Sequence, residues 1–274
     1  MGGSPGAAIA AIEDDAIGDR ARTLPVRIYR PMKTPRPPLV IYFHGGGFVI
    51  GDLDTHDRNT RGIAAATGAT VVSVAYRLAP EHPFPAAPDD AMLAVRGAPE
   101  IARRLGADTS RIFVAGDSAG ATLALVAAIA ARDTNGTRLA GVVAIYPGVS
   151  RISSTATASA LAFGDGNFGL SNDDIAWFRE QYLPDKASHE DWRAAPALVP
   201  NLAGLPPTFI VVAAYDALRD EGIAFAERLR DSGVAVELRV AAGMNHGFMG
   251  APKPPAAVND TLRAIGQWMS DLPR

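Results

Sequence analysis

A serine between glycines lies where an apolar stretch of the chain gives way to an alanine-rich one. Residues 113–120 read FVAGDSAG, in which 116–120 match the pattern G-x-S-x-G around Ser118. In a nucleophile elbow this pattern forms a tight strand-to-helix turn, and the glycines leave room beside the serine. The amino end of the following helix would also stabilise negative charge near the hydroxyl. The spacing predicts a nucleophilic serine, while a glycine-rich turn with an idle serine is the plain alternative.

Three consecutive glycines follow the apolar stretch LVIYF, in the sequence HGGGF that runs from His44 to Phe48. Without Cβ atoms, such a run can turn its backbone N–H groups toward a ligand. Aimed at the nucleophile, these groups would form an oxyanion hole; the alternatives are a flexible turn or a phosphate-binding nest. A phosphate loop of the G-x-x-x-x-G-K type has weak support, because no Lys-Ser or Lys-Thr pair follows.

An aspartate and a histidine farther along the chain can complete a catalytic set with Ser118. Asp216 directly follows the apolar stretch FIVVAAY, and His246 lies in the loop sequence GMNHGF. Their order, serine then acid then histidine, is that of α/β-hydrolase triads. A lone loop histidine is most often a solvated surface residue, but each of these three residues follows a predicted strand, where open α/β sheets hold their sites. Asp220 and Glu221 are interpreted as ordinary acids at a helix amino end.

The elements that would hold these residues alternate between strands and helices. Continuous apolar stretches suit strands buried on both faces of a sheet, and the alternation predicts a mostly parallel, twisted sheet with helices on both faces. The strand at 236–240 instead alternates apolar and charged residues, which is typical of a sheet edge. The predicted strands are 26–29, 39–43, 70–74, 112–115, 141–145, 208–213 and 236–240, and the predicted helices are 59–67, 89–105, 119–132, 220–232 and 258–270.

A long stretch before the sixth of these strands interrupts the alternation. Residues 150–205 carry no strand signal and contain a helical segment at 171–183, with Ser171 as its predicted N-cap. An insertion of this length is too long for a loop and predicts a small helical cap over the sheet. The domain organisation that follows is a core at 26–149 and 206–274 with the cap insertion at 150–205, preceded by a short, partly flexible N-terminal segment at 1–25.

Composition excludes several other classes of function. The 274 residues include no cysteine, which rules out disulfides, thiolate nucleophiles and cysteine-ligated metal sites. With 26 basic and 29 acidic side chains the net charge is −3, and no basic stripe points to a nucleic acid partner. No apolar run approaches the roughly 18 residues of a transmembrane helix. The amino terminus has no basic n-region, so we expect a cytoplasmic protein without a secretory signal.

Together, the motifs resemble those of the hormone-sensitive-lipase-like esterases, the bacterial GDSAG branch of the α/β-hydrolases. The matching stretches are HGGGF, YRLAPEHPFPAA, GDSAG, LPP before a strand, DALRDEG and MNHGF, from about residue 26 to the carboxyl end. The resemblance implies an α/β-hydrolase fold with an eight-stranded sheet, and a carboxylic-ester hydrolase that needs neither cofactor nor metal. It implies Ser118 as the nucleophile, His246 as the base and Asp216 as the orienting acid.

The same resemblance assigns roles around the triad. Gly46, Gly47 and Ala119 would supply the backbone donors of the oxyanion hole, and His44 would hold that loop rather than transfer protons. The substrates would be short- to medium-chain acyl esters. The aromatic residues expected in the pocket, each also compatible with plain core or cap packing, are Phe48, Trp177, Phe178, Tyr182 and Phe248.

Two departures from the family pattern have consequences for the cap and the elbow. Only 25 residues precede residue 26, fewer than is usual in the family, so we expect a shortened N-terminal cap and a more open site. The elbow continues with Ala121 where a further glycine is common, which should affect local packing alone.

Two other functions stay open. The plant gibberellin receptors resemble this family but bind ligand with a disrupted catalytic set, whereas the serine, acid and histidine are all present here. The same site can also cleave amides, lactones or carbamates, because a triad and an oxyanion hole serve all acyl transfers. The expected partner is a small-molecule ester. Family resemblance also suggests a homodimer through the edge at 236–240, against which the charges of Glu237 and Arg239 argue.

Overall fold

The computed structural model describes residues 7–32, 34–150 and 157–273, which build one eight-stranded sheet with helices on both faces. The strands are β1 (Ala11–Gly18), β2 (Thr23–Arg30), β3 (Pro38–Phe43), β4 (Thr70–Val74), β5 (Asp108–Asp117), β6 (Gly141–Ile145), β7 (Thr208–Tyr215) and β8 (Val236–Asn245). The helices are α1 (Asp57–Thr67), α2 (Ala86–Leu105), α3 (Ala119–Asp133), α4 (Ala158–Phe163), α5 (Asn172–Tyr182), α6 (Arg219–Asp231) and α7 (Ala256–Asp271). All seven predicted strands and all five predicted core helices are present.

The strand order across the sheet is β1-β2-β4-β3-β5-β6-β7-β8. Strands β4, β3, β5, β6, β7 and β8 pair in parallel along the sheet, whereas β2 pairs antiparallel with both of its neighbours, β1 and β4. This arrangement confirms the predicted mostly parallel sheet, and β8 lies at an edge as its alternating charges predict. Because the carboxyl ends of parallel strands share one edge of the sheet, the residues after β3, β5, β7 and β8 meet there.

Alternating side chains along the strands form two separate apolar cores. Leu39, Ile41 and Phe43 of β3 join the core that includes residues of α2, α3 and α6. Val40 and Tyr42 of the same strand join the core that includes residues of α1 and α7. Successive strand side chains point to opposite faces, so a strand with helices on both faces must be apolar throughout. The run LVIYF is fully buried for this reason.

The amino-terminal segment corrects one prediction. Residues 1–25 were expected to form a cap segment, but Ala11–Gly18 is a strand that pairs antiparallel with β2 along its whole length. The sequence AIEDDAIG does not predict this strand, because the middle of the segment is acidic. Those acids form cross-strand ion pairs, Glu13 with Arg30 at 2.8 Å and Asp14 with Arg27 at 2.6 Å. Residues 1–6 lie outside the described part of the chain, and the flexibility predicted for them stays a prediction.

The described part of the insertion between β6 and β7 carries two α-helices, α4 and α5, and hydrogen bonds tie this part to the core. Ser159 N–H donates to Asp220 Oδ2 at 2.8 Å, and Ser159 Oγ donates to Ala217 O at 3.0 Å. The predicted N-cap is confirmed, since Ser171 Oγ accepts from Asp174 N while Asp174 Oδ2 accepts from Ser171 N, each at 2.9 Å. Residues 151–156 lie outside the described residues, and the division into a core and a separate cap domain stays a prediction.

Candidate active site

Ser118 lies at the sharp turn between β5 and α3. Its backbone has φ +52° and ψ −122°, a conformation that non-glycine residues rarely adopt. A Cβ on Gly116 would lie 2.2 Å from Gly120 O, and one on Gly120 would lie 2.0 Å from Phe43 O. Both flanking positions therefore require glycine for steric reasons. The structure explains G-x-S-x-G here as a packing requirement that leaves the serine at the sheet edge.

His246 and Asp216 stand in line with this serine. His246 Nε2 lies 2.8 Å from Ser118 Oγ, and His246 Nδ1 lies 2.8 Å from Asp216 Oδ2. Asp216 is buried, and its Oδ1 accepts a hydrogen bond from Leu218 N at 2.9 Å. A carboxylate that is hydrogen-bonded to Nδ1 keeps the imidazole proton on that nitrogen. Nε2 is then the acceptor that faces the serine hydroxyl. The three residues predicted from separate motifs thus form one hydrogen-bonded chain.

The environment of His246 makes it a stronger base. Burial alone would lower its pKa, but the charge of Asp216 and the hydrogen bond to it outweigh burial, so the pKa of His246 is raised above the ordinary 6.5. The ring also lies against Tyr146, with 4.8 Å between the ring centroids. A histidine with a raised pKa takes a proton from the serine more readily, and it needs a higher pH to remain neutral.

The glycine loop after β3 lies beside the serine. Gly46 has φ +119° and Gly47 has φ +60°, conformations that favour glycine. Within the described ranges, no backbone carbonyl accepts a hydrogen bond from the N–H groups of Gly46, Gly47 or Ala119. All three residues line the same cavity as Ser118. Three such N–H groups are what an oxyanion hole needs.

His44 stands behind this loop. Its ring stacks on Tyr76 with 4.4 Å between centroids, and Tyr76 Oη donates to His44 O at 2.8 Å. Burial lowers the pKa of His44 to about 4, although the contact of Nδ1 with Gly45 O offsets part of this effect. The imidazole is therefore neutral at ordinary pH, and its contacts tie the glycine loop to the neighbouring strand.

Asp117, the residue before the serine, has a role that the sequence motifs do not indicate. Its buried Oδ1 accepts from Tyr42 Oη at 2.5 Å and from Gly45 N at 3.1 Å, and His56 Nε2 lies 3.6 Å from Oδ2. Burial would raise the pKa of Asp117, but the contacts with His56 and Tyr42 outweigh it and the pKa is lowered. The carboxylate thus joins the elbow to the glycine loop. The signal in the sequence is an acid within a turn that should be buried, because a buried carboxylate needs hydrogen-bond or charge partners.

A cavity of about 360 Å³ opens above the serine. The residues that line it can be compared with the predicted pocket residues. Phe48, Phe178 and Tyr182 line it, and the rings of Phe48 and Tyr182 stack at 4.0 Å. Trp177 and Phe248 are not among the lining residues, which corrects that part of the prediction. Trp177 is 49% exposed because adjacent residues of a helix point in different directions, and Phe248 is buried against Tyr146.

The cavity wall also includes polar residues that sequence reasoning did not assign to it, among them His56, Asn59, Thr122 and Glu221. No group of three or more metal-ligating side chains is present within the described residues. In the same part of the chain, none of the helices has the length and apolar character needed to cross a membrane.

The chain is similar to known hydrolases in sequence and in structure. A profile of the alpha/beta hydrolase fold family matches residues 40–250. Esterase LipI of Mycobacterium tuberculosis is 44% identical over 259 residues, covering 93% of this chain and 80% of that protein. Ethyl acetate hydrolase of Pseudomonas putida is 39% identical over 252 residues, covering 87% and 77%. The solved esterase of Pyrobaculum calidifontis has a TM-score of 0.91 at 38% identity, over 96% of this chain and 86% of that one.

Proposed function

The chain belongs to the alpha/beta hydrolase fold family and is a carboxylic-ester hydrolase, and we propose that Ser118, His246 and Asp216 carry out its chemistry. The observation that supports these roles is the line of two 2.8 Å hydrogen bonds from Ser118 Oγ through the imidazole to the buried carboxylate. Nucleophile, base and orienting acid need that geometry for covalent catalysis.

Acylation begins when Ser118 Oγ attacks the carbonyl carbon of the ester. His246 Nε2 accepts the hydroxyl proton, and Asp216 stabilises the resulting imidazolium without taking the proton itself. The carbonyl oxygen becomes an oxyanion, which accepts hydrogen bonds from the N–H groups of Gly46, Gly47 and Ala119. His246 then protonates the leaving alcohol, and the acyl group stays on the serine.

Deacylation repeats these steps with water. His246 Nε2 removes a proton from a water molecule, the hydroxide attacks the acyl carbon, and the same three N–H groups hold the second oxyanion. Return of the proton from His246 to Ser118 Oγ releases the carboxylic acid. The raised pKa of His246 favours both proton abstractions.

Hydrolysis of p-nitrophenyl butanoate by the purified protein and by its Ser118→Ala variant tests these roles. We expect turnover by the wild type and a loss of about 10⁶-fold in kcat for the variant. A Ser110→Ala variant is the matched control, because Ser110 lies exposed at the start of the same strand. Retention of more than a tenth of wild-type kcat by Ser118→Ala would remove this residue from the mechanism. Comparison with the matched amide separates esterase from amidase activity.

The cavity supports a preference for short- to medium-chain acyl groups. Its aromatic wall of Phe48, Phe178 and Tyr182 bounds a volume of about 360 Å³. Each additional buried CH₂ contributes about 0.8 kcal/mol only while a wall remains to bury it. We expect kcat/KM to level off at acyl chains of roughly eight carbons, a length that the family resemblance implies and that the CH₂ contribution alone does not set. A steep rise beyond that length, measured below the micellar concentration of each ester, would contradict this substrate class.

A second copy of the chain is proposed to pair along β8. This strand is at the sheet edge, and Val240 on it is 52% exposed. Glu237 and Arg239 form an ion pair with each other at 2.7 Å, so their charges are already matched within one copy. Sedimentation that shows only monomer at micromolar concentration would contradict the homodimer. The cytoplasmic location stays a prediction, which detection of the protein in cell fractions tests.

A further inference from the structure

Glu221 is a buried acid on the cavity wall whose chemistry the mechanism does not use. It lies in the first turn of α6 and is 6% exposed. Its Oε1 accepts hydrogen bonds from Val149 N at 2.6 Å and from Ser150 N at 3.4 Å. A helix amino end accounts for an exposed acid. A buried acid that accepts from the backbone of a distant loop needs another explanation.

The loop that Glu221 holds is part of the cavity. It leaves the end of β6, and its residues Gly148 and Ser150 both line the cavity. Thr122 Oγ1 of α3 donates to Gly148 O at 2.5 Å, while Glu221 of α6 accepts from Val149 N at 2.6 Å. The wall at residues 148–150 is therefore fixed between the helix after the nucleophile and the helix after Asp216.

The carboxyl of Glu221 can change its charge near neutral pH. Burial raises its pKa to about 7, although the two backbone N–H groups offset part of this effect, and the charge of Asp216 raises it further. Besides Asp216, the ionisable His246 interacts with Glu221, whose charge raises the pKa of His246. Thr122 and Leu218, which lie near Gly148 as Glu221 does, are neutral. On its own helix, Arg219 and Asp220 form an ion pair with each other.

We propose that Glu221 is a positioning residue whose ionised carboxylate fixes the cavity wall at residues 148–150 and thereby sets substrate affinity. This inference rests on the proposed ester hydrolysis at Ser118. Hydrogen bonds to a charged acceptor are roughly twice as strong as those to a neutral one, so protonation loosens the wall without removing it. Affinity for a neutral ester then falls on acidification, separately from the loss of the catalytic base.

The test measures kcat and KM for p-nitrophenyl butanoate between pH 5.5 and 9 in the wild type and three variants. We expect the wild-type KM to be roughly fivefold higher at pH 6 than at pH 8.5. Glu221→Gln keeps an acceptor oxygen but cannot titrate, so its KM should stay high and constant across this range. Glu221→Ala should raise KM further at every pH. Glu227→Gln, at an exposed position of the same helix, should behave as the wild type.

A second readout distinguishes positioning from a merely structural role. Because the Glu221 charge raises the pKa of His246, the acid limb of kcat should move to lower pH in Glu221→Gln, while maximal kcat changes less than KM. Melting temperatures show whether each variant is folded, and Glu221→Gln carries the test if Glu221→Ala is not.

Two outcomes would contradict the role of Glu221, and a third would contradict the proposed ester hydrolysis at Ser118. A wild-type KM that is constant between pH 6 and pH 8.5 overturns the role of Glu221. A Glu221→Gln variant with the pH dependence of the wild type does the same. No turnover by the wild type at any pH overturns the proposed function instead, so the two failures are distinguishable.

Discussion

Replacing Gly47 with alanine should impair catalysis through a side chain of the cap. A Cβ at this position would lie 2.3 Å from Cγ and 2.4 Å from Cδ1 of Phe178. Carbon atoms in favourable contact are about 3.5–4.0 Å apart, so the ring would have to retreat by roughly 1 Å. Phe178 belongs to α5, and the overlap therefore transmits a change in the oxyanion loop to the cap.

The expected loss combines two costs, which raise the barrier because the loop of the variant relaxes in the free enzyme and must return to its present geometry in the transition state. Gly47 has φ +60°, and an alanine held in that conformation costs roughly 1–2 kcal/mol. The overlap with the ring adds a coupling between contacting residues, for which about 0.5–3 kcal/mol is usual. A barrier increase of about 1.4 kcal/mol slows a reaction tenfold. The two costs together predict a decrease of about a hundredfold in kcat/KM.

A double-mutant cycle separates the two costs. Hydrolysis of p-nitrophenyl butanoate is measured for the wild type, Gly47→Ala, Phe178→Ala and the double variant, with the melting temperature of each. Removing the ring makes room for the new Cβ, so the loss caused by Gly47→Ala should be about tenfold smaller in the Phe178→Ala background than in the wild type. The backbone cost at residue 47 stays, and recovery should remain incomplete.

Two results of this cycle would contradict the expected effect of the contact between residue 47 and Phe178. A Gly47→Ala loss of the same size in the wild-type and Phe178→Ala backgrounds would show that contact with Phe178 does not cause it. A Gly47→Ala variant as active as the wild type would show that the loop tolerates a Cβ and that the tight approach of α5 is not required. Similar melting temperatures across the cycle assign the change to the site rather than to unfolding.

Three further outcomes are expected. Wild-type kcat/KM should fall on acidification through a midpoint above 6.5, because neutral His246 is the base and its pKa is raised; a pH profile with a midpoint below 6 would contradict this. Asp216→Asn should lower kcat by about 10⁴-fold and move that midpoint down, since the Asp216 charge raises the pKa of His246. Asp90→Ala should lower the free energy of unfolding by about 2 kcal/mol in a urea titration, because buried Asp90 pairs with Arg22 and Arg77, which are partly exposed and can regain water.

The fold and the three catalytic positions could be predicted because their signals are local. Strands buried on both faces are continuously apolar, and an elbow needs glycine on both sides of Ser118. Asp216 follows such a strand, and His246 follows the edge strand β8, whose alternating apolar and charged residues are also a local signal. By contrast, β1 could not be predicted from hydrophobicity, since its acidic middle is balanced by arginines on β2 and α2 that are distant in sequence.

The residues around the triad were harder to predict because their roles depend on tertiary packing. Trp177 and Phe178 are adjacent and similar in type, yet only the second lines the cavity. Asp117 and Glu221 look like ordinary acids, one in a turn and one at a helix end. Both are buried, and each accepts a hydrogen bond from the backbone of a loop that is 72 residues away in sequence. The residues that directly precede and follow each of these acids in the sequence do not indicate such a partner.

The separation of the triad along the chain links activity to the order of folding. Ser118 and His246 are 128 residues apart, and the histidine follows the strand at the far edge of the sheet. The glycine loop and the elbow instead follow β3 and β5, which pair directly with each other. Contacts between distant residues form late, because closing a long loop costs entropy before the contact forms. Recovery of ester hydrolysis during refolding therefore reports the pairing of β7, together with its partner β8, to β6 across the long insertion, and an esterase assay timed against circular dichroism measures that step separately from the rest of the sheet.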